Sequence, residues 1–241
     1  MLSALIWLPA LGAIALGFIP ISIPAKICRQ LALAVGIAIF AWAIFLTIQF
    51  QPTEFNQQFT EYFPWIDALG LTYHISIDGL SLPLILLNGL ITCISIYSTN
   101  PNIHRPRLYY SLLLLLTGAV MGAFLAQDLL LFFLFYELEL IPLYLLIAIW
   151  GGQKRGYAAT KFLIYTAVSG ILILASFLGI VWLSGSSSFA LAGLNTTALP
   201  MTTQIILLAG IVIGFGIKIP LVPFHTWLPD AHVEASTPIS A

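Results

Sequence analysis

The chain has 241 residues, of which 60% are hydrophobic and only 7% charged, and its formal net charge is −1. Ordinary globular domains carry roughly 25% charged residues, and a soluble protein of this length could not cover its apolar surface with so few. The composition is that of a polytopic membrane protein, and without a Lys/Arg cluster it argues against nucleic acid as a partner.

A spanning helix needs about 20 mostly apolar residues. In chain order the qualifying stretches are Leu2–Ile19, Leu31–Phe50, Leu80–Tyr97, Leu108–Ala126, Leu129–Trp150, Thr160–Ser184 and Gln204–Val222, with an eighth beginning near Thr237. The sequence therefore predicts an all-α transmembrane bundle of about seven spans plus the start of another. The first stretch has no basic segment ahead of it and no small-residue cleavage site, so it reads as a retained span. The connection from Gln51 to Gly79 is long. Within it Leu71, Tyr73, Ile75 and Ile77 alternate with Thr72, His74, Ser76 and Asp78, the period of a short β-hairpin or extended lid. Gly185 to Thr203 is rich in Ser, Thr and Gly, and is expected to be an exposed, flexible connection. Cys28 and Cys93 show no metal-type spacing and read as small apolar fillers.

The basic residues orient the bundle. Lys26 and Arg29 fall between the first two spans, Arg105 and Arg107 between the third and fourth, and Lys154 and Arg155 between the fifth and sixth, with Lys161 at the mouth of the sixth. The alternate loops hold no Lys or Arg, and the first carries Glu54, Glu61, Asp67 and Asp78. Excess Lys/Arg marks the cytoplasmic side, which places the N-terminus on the opposite, outer side.

Three charges break the apolar runs. Glu137 lies about eight residues into the fifth span, ~12 Å deep at ~1.5 Å per residue. A charge there costs at least ~2.5–3.5 kcal/mol on insertion scales, and such groups usually mark an ion or proton path. The alternative is a structural Glu, kept neutral or paired to a neighbouring helix. Glu139 is two residues on, ~200° around an ideal helix, and is a secondary candidate. Lys218 follows Gly210, Gly214 and Gly216 and precedes Pro220 and Pro223, a composition that breaks a helix. Broken helices in lipid are tolerated inside protein or beside a wet cavity and often build ion sites. A snorkelling anchor is the competing reading for Lys218, as it is for Lys161. Beyond the break lie His225, Asp230, His232 and Glu234. Histidine is the side chain whose ordinary charge change falls near neutral pH, so His225 suits proton entry as well as it suits packing. His232 is a further secondary candidate, with a structural role weighing more for it, Asp230 and Glu234. The metal pattern is weak, and no metal or cofactor site is expected. His74 and His104 are expected to face solvent. Phosphate-cradling loops, nucleophile–base pairs and iron–sulfur cysteine sets do not occur in the sequence.

Four segments carry a resemblance: Phe135-Tyr-Glu-Leu-Glu-Leu-Ile-Pro-Leu-Tyr144, Trp150-Gly-Gly152, Ala159-Thr-Lys-Phe162 and Lys218-Ile-Pro-Leu-Val-Pro-Phe-His-Thr-Trp-Leu-Pro-Asp-Ala-His232. With Asp78-Gly-Leu-Ser81 they resemble the antiporter-like subunits of the complex I family, in particular the chain 4 type of cyanobacteria and plastids. The resemblance implies a proton-translocating membrane-arm subunit. In it Glu137 and Lys218 form a charge pair driven by quinone reduction elsewhere, Lys161 is a sixth-helix relay, and His225 links Lys218 to a hydrophilic axis. It implies no cofactor in this chain, with iron–sulfur clusters and plastoquinone in other subunits. The implied partners are other membrane-arm subunits and lipid, with a carbon-dioxide-hydration subunit if the chain is an uptake paralogue. A thylakoid location follows, or a bacterial plasma membrane. Tyr136 stands where the family commonly has Trp. The family's chains have about fourteen helices in two inverted repeats. Residues 1–107 are therefore expected to be leading helices with the outer lid loop 51–79, and residues 108–241 an incomplete first repeat. Such a length should not complete a proton path alone. A sodium/proton antiporter subunit and a purely structural membrane subunit remain alternatives.

Overall fold

A computed structural model describes residues 1–20, 23–53, 56–194, 196–197 and 199–240. The long apolar runs become helices because in oil every backbone polar group must be satisfied within its own segment. They are α1 (Ser3–Phe18), α2 (Ala25–Gln49), α3 (Ser81–Ser98), α4 (Pro106–Leu125), α5 (Leu129–Leu138), α6 (Leu140–Trp150), α7 (Arg155–Leu183) and α8 (Met201–Lys218). The short helices α9 (Trp227–Glu234) and α10 (Thr237–Ser240) follow. Among the described residues six helices are long and apolar enough to cross a membrane, counting Leu129–Trp150 as one. The first expected span is shorter: α1 has 16 residues, ~24 Å at the helical rise, against a hydrocarbon core of ~30 Å.

α4 is the most buried of the candidate spans, and α1, α2, α3, α5 and α6 pack around it. Pro106 starts it at a position where a missing N–H is harmless. Small residues let neighbours approach it: a Cβ on Gly118 would lie 3.0 Å from the carbonyl oxygen of Ile6 in α1, and one on Gly122 would collide with the Phe135 ring of α5. Tyr109 and Tyr110, fully buried, fill the opposite end of the same helix.

The expected hairpin is present as β1 (Gln58–Ile66) and β2 (Leu71–Ile77), antiparallel, with Tyr62 opposite His74 and Phe63 opposite Tyr73. Gly70 turns the chain at φ 67°, and the backbone of Ser187 presses so close that no side chain fits there. Simple alternation does not describe β2. Thr72 and Ser76 are buried along with Leu71, Ile75 and Ile77, because the strand is covered on both faces. His74, expected in solvent, is half-buried against the Tyr62 ring, and its Nδ1 is buried without a hydrogen-bond partner. Burial holds its pKa below the usual histidine value, although the nearby Asp128 works the other way. His104 is exposed, as expected, beside the Trp150 ring.

The connection after α7 is also less free than its composition suggests. Phe189 is 3% exposed; its carbonyl accepts from Leu129 N at 2.9 Å, and its N–H donates to the Gly70 carbonyl at 3.3 Å. Lid, α4–α5 junction and this connection thus form one layer over the end of the bundle. The centre of the layer is Asp128, 0% exposed. Its carboxylate accepts from Thr72 N (3.0 Å), Thr72 Oγ1 (2.8 Å), Leu130 N (2.9 Å) and Leu131 N (3.0 Å), so it caps α5 and binds the lid at once.

At the other end, Arg107 donates to the Ile19 carbonyl, Arg29 to the Tyr97 carbonyl, and Trp150 Nε1 to the His104 carbonyl at 2.7 Å. These bonds gather the Lys/Arg-bearing loops into one face.

Candidate functional site

Two helices break at the same place. α8 ends at Lys218, because Pro220 has no N–H to continue the ladder. The freed groups are taken up locally: Leu221 N donates to the Gly216 carbonyl at 2.8 Å, and the indole of Trp227 donates to the Ile217 carbonyl at 2.8 Å. The discontinuity expected in the seventh span therefore falls at its lysine. The fifth span breaks as well, between α5 and α6 at Glu139. Pro142 is the cause, since it cannot donate to the Leu138 carbonyl and its ring crowds that oxygen.

Lys218 lies across the second break. Its ammonium forms an ion pair with Glu139 Oε1, donates to the Tyr136 carbonyl at 3.1 Å, and sits 3.2 Å from the centroid of the Tyr136 ring. The two charged side chains are 18% and 19% exposed. Cation–π contact strengthens as water is removed, so Tyr136 holds the lysine through both ring and backbone. The ring is itself packed between Phe132 and Phe215, with centroids 5.3 and 5.6 Å away.

The direct partner of Lys218 is thus Glu139, where the resemblance implied Glu137. Glu139 keeps helical angles at the interruption (φ −66°, ψ −23°), and residues two apart face different sides of a helix, so Glu139 meets α8 where Glu137 does not. Glu137 faces α7 instead. Its Oε1 is buried with no hydrogen-bond partner, in a slot where a Cβ on Gly170 would lie 2.5 Å away. Beside it Ser169 Oγ donates to the Gly214 carbonyl at 2.7 Å, joining α7 to α8.

Glu139 and Lys218 also line a cavity of about 470 Å³, with Asn88, Thr92 and Thr117 across it and His232 toward the Lys/Arg-bearing face. Thr92 and Thr117 share a hydrogen bond of 3.0 Å. The carboxylate of Glu139 therefore has before it a cavity walled mainly by apolar side chains with these few polar groups among them, whereas Oε1 of Glu137 is enclosed by helix.

The segment after the break folds back onto the start of α7. Lys161 Nζ pairs with Asp230 Oδ2 at 2.7 Å. Tyr165 and Thr226 share a hydroxyl bond of 2.8 Å. Glu234 accepts from Lys154 N at 2.8 Å and, through its carbonyl, from Gly152 N at 2.9 Å. His232 Nδ1 lies 2.6 Å from Ser240 Oγ. His225 is exposed; its carbonyl accepts from Trp227 N, and its side chain makes no hydrogen bond or ion pair among the described residues. The structure thus brings Lys218 and Glu139 together, sets Glu137 one step away on α5, and gives Lys161 its own acid. Among the described residues no group of three or more His, Cys, Asp or Glu could hold a metal ion.

Asp128, Gly170 and Trp227 were not singled out in the sequence. An acid ahead of an apolar run is a helix-start pattern and could have marked Asp128. The roles of Gly170 and Trp227 depend on tertiary contacts that leave no local pattern.

Over 98% of its length the chain superposes on a chain from respiratory complex I of Thermus thermophilus with bound NADH, at TM-score 0.85 and 28% identity, covering 47% of that chain. The chain has the fold of that complex I chain. Its residues 126–241 match the family described as NADH:quinone oxidoreductase/Mrp antiporter, transmembrane. It is 46% identical over 246 residues to NAD(P)H-quinone oxidoreductase chain 4 1 of Synechococcus sp. (strain JA-3-3Ab), covering 99% of this chain and 45% of that relative. The chain thus spans under half the length of the curated relatives it matches. A likeness of fold extends to the Mrp complex from Dietzia sp. DQ12-45-1b, at TM-score 0.80 and 21% identity. Glu137, Glu139, Lys161, Lys218, His225 and His232 all fall inside the family match.

Proposed function

We propose that this chain is the proton-translocating part of a membrane-arm subunit in a type I NAD(P)H- or ferredoxin-quinone oxidoreductase. Glu137, Lys218, Lys161 and His225 are its proton-transfer residues, with Glu139 and His232 as secondary members. The observation that carries the reading is a lysine held where α8 ends, inside apolar spans, against a carboxylate and beside a cavity that also presents Asn88, Thr92 and Thr117. Ionisable groups are kept at such depth because they serve an ion path. The 46% identity to a quinone oxidoreductase chain favours this reading over a sodium/proton antiporter subunit, which shares the fold.

Redox centres belong to other subunits in this reading. Iron–sulfur clusters and plastoquinone lie there, and the chain contacts further membrane-arm subunits, other antiporter-like chains among them, and in an uptake form a carbon-dioxide-hydration subunit. The location is the thylakoid membrane, with the N-terminus and lid on the lumenal side and the Lys/Arg-bearing face in the cytoplasm. Residues 108–241 act as the first repeat of a longer antiporter-like unit, and residues 1–107 support it.

The test is Glu137→Gln in the assembled complex. Proton pumping is expected to fall while quinone reductase subunits still copurify. Pumping at the wild-type rate removes Glu137 from the relay, and purification without any iron–sulfur subunit favours the antiporter.

A further inference from the structure

The position of Lys218 says more than that a pair exists. Its ammonium rests on Glu139, yet it also bonds the carbonyl of Tyr136, which belongs to the peptide unit that leads into Glu137. The lysine therefore already touches the backbone of the second acid while paired with the first. Its four-carbon stem is flexible, and it springs from the last residue of α8, where the helix no longer confines it. The two carboxyls differ in setting. Glu139 lines the cavity, and Glu137 keeps an unpartnered oxygen sealed against Gly170. An isolated carboxylate without a partner is far costlier to bury than a neutral acid. One ammonium can balance only one of them.

We infer that Lys218 serves the two carboxylates in turn, Glu139 in the arrangement seen and Glu137 after a swing about the Tyr136 carbonyl, so that Glu139 is the cavity-side proton port of the pair. In the first state Glu139 is ionised and Glu137 carries a proton. When the ammonium moves to Glu137, that acid gives its proton to a water molecule reaching Oε2, the oxygen that is not buried, and Glu139 takes one from water in the cavity. The trio has zero net charge in both states. One proton enters on the cavity side and one leaves on the other, and no bond except those to hydrogen is made or broken. This inference rests on the relay reading given above and adds to it the role of Glu139.

The experiment is infrared difference spectroscopy together with pumping assays on the intact complex, comparing wild type, Glu137→Gln and Glu139→Gln. The protonated-carboxyl band lost in Glu137→Gln identifies the Glu137 acid. In Glu139→Gln the lysine has only Glu137 to pair with, so the same band is expected to disappear and pumping to be lost. Persistence of the band, or wild-type pumping in Glu139→Gln while Glu137→Gln is inactive, overturns the two-acceptor scheme and leaves the relay standing. Wild-type pumping in both variants overturns the relay itself. If Glu139→Gln does not assemble, Glu139→Asp keeps the charge on a shorter arm. A Glu137 acid band weaker than wild type then supports the scheme, and an unchanged band overturns it.

Discussion

The indole of Trp227 donates to the carbonyl of Ile217, the residue immediately before Lys218, at 2.8 Å. Trp227 is 6% exposed, so the bond is buried. Trp227→Phe keeps most of the packing and leaves that carbonyl without its partner, a loss of ~1–3 kcal/mol. Amide hydrogen exchange over 214–222 should quicken, and pumping should fall in a complex that still assembles. Unchanged exchange there would show that the bond does not steady the lysine.

Gly170 is the floor of the Glu137 slot. Gly170→Ala puts a methyl group within 2.5 Å of Glu137 Oε1, so the carboxyl must move. Overpacking of this kind costs roughly 1–3 kcal/mol. The expected result is a modest drop in thermal stability together with a pumping defect as large as that of Glu137→Gln. A stable variant that pumps normally would mean that the carboxyl position is not critical.

Lys161 and Asp230 separate an anchor from a relay. If the pair only fastens α9 to α7, Lys161→Met and Asp230→Asn should behave alike. The proposed relay role predicts that Lys161→Met depresses pumping several-fold more than Asp230→Asn does, with both assembling. Parallel pumping rates and titration curves would assign the pair to fastening.

The lid should be acid-labile. Glu61 accepts from Leu2 N at 2.6 Å and Ser3 N at 3.3 Å, and it pairs with the Met1 ammonium and the Ser3 hydroxyl. Burial opposes ionisation of Glu61, but these contacts outweigh it and hold its pKa below the usual carboxylate value. A group with a depressed folded pKa stabilises above its unfolded pKa and loses that contribution as pH falls through the folded one. Hydrogen exchange in β1 should accordingly rise only when the pH drops below ~4.3, the unperturbed Glu value. In Glu61→Gln the exchange should be fast and flat across that range. A wild-type lid that is insensitive to acid would discount the clasp.

Much of this architecture could be read from the chain. Span positions follow from apolar run length alone, and the lid hairpin followed from the alternation in Leu71–Ile77. The break after Lys218 was legible because Gly214, Gly216, Pro220 and Pro223 all oppose a helix there. The break at Glu139 has the same kind of cause in Pro142, but that proline stands alone, without the glycines and second proline that mark the other break. The partner of Lys218 could not be read. Glu137 and Glu139 point to different sides of the helix, so the choice between them depends on which side α8 packs against, a tertiary outcome. Phe189 gave no hint either, because a single aromatic in a Ser- and Gly-rich connection looks alike whether it is anchored or free.

α9 is only eight residues long, yet it is fastened near both ends: through Trp227 to the tip of α8, and through Asp230 and Glu234 to the start of α7 and the loop before it. A piece so short and so tied acts as a strut. Tilting it displaces the lysine tip and the loop at 152–154 together, so neither can shift without the other registering the strain.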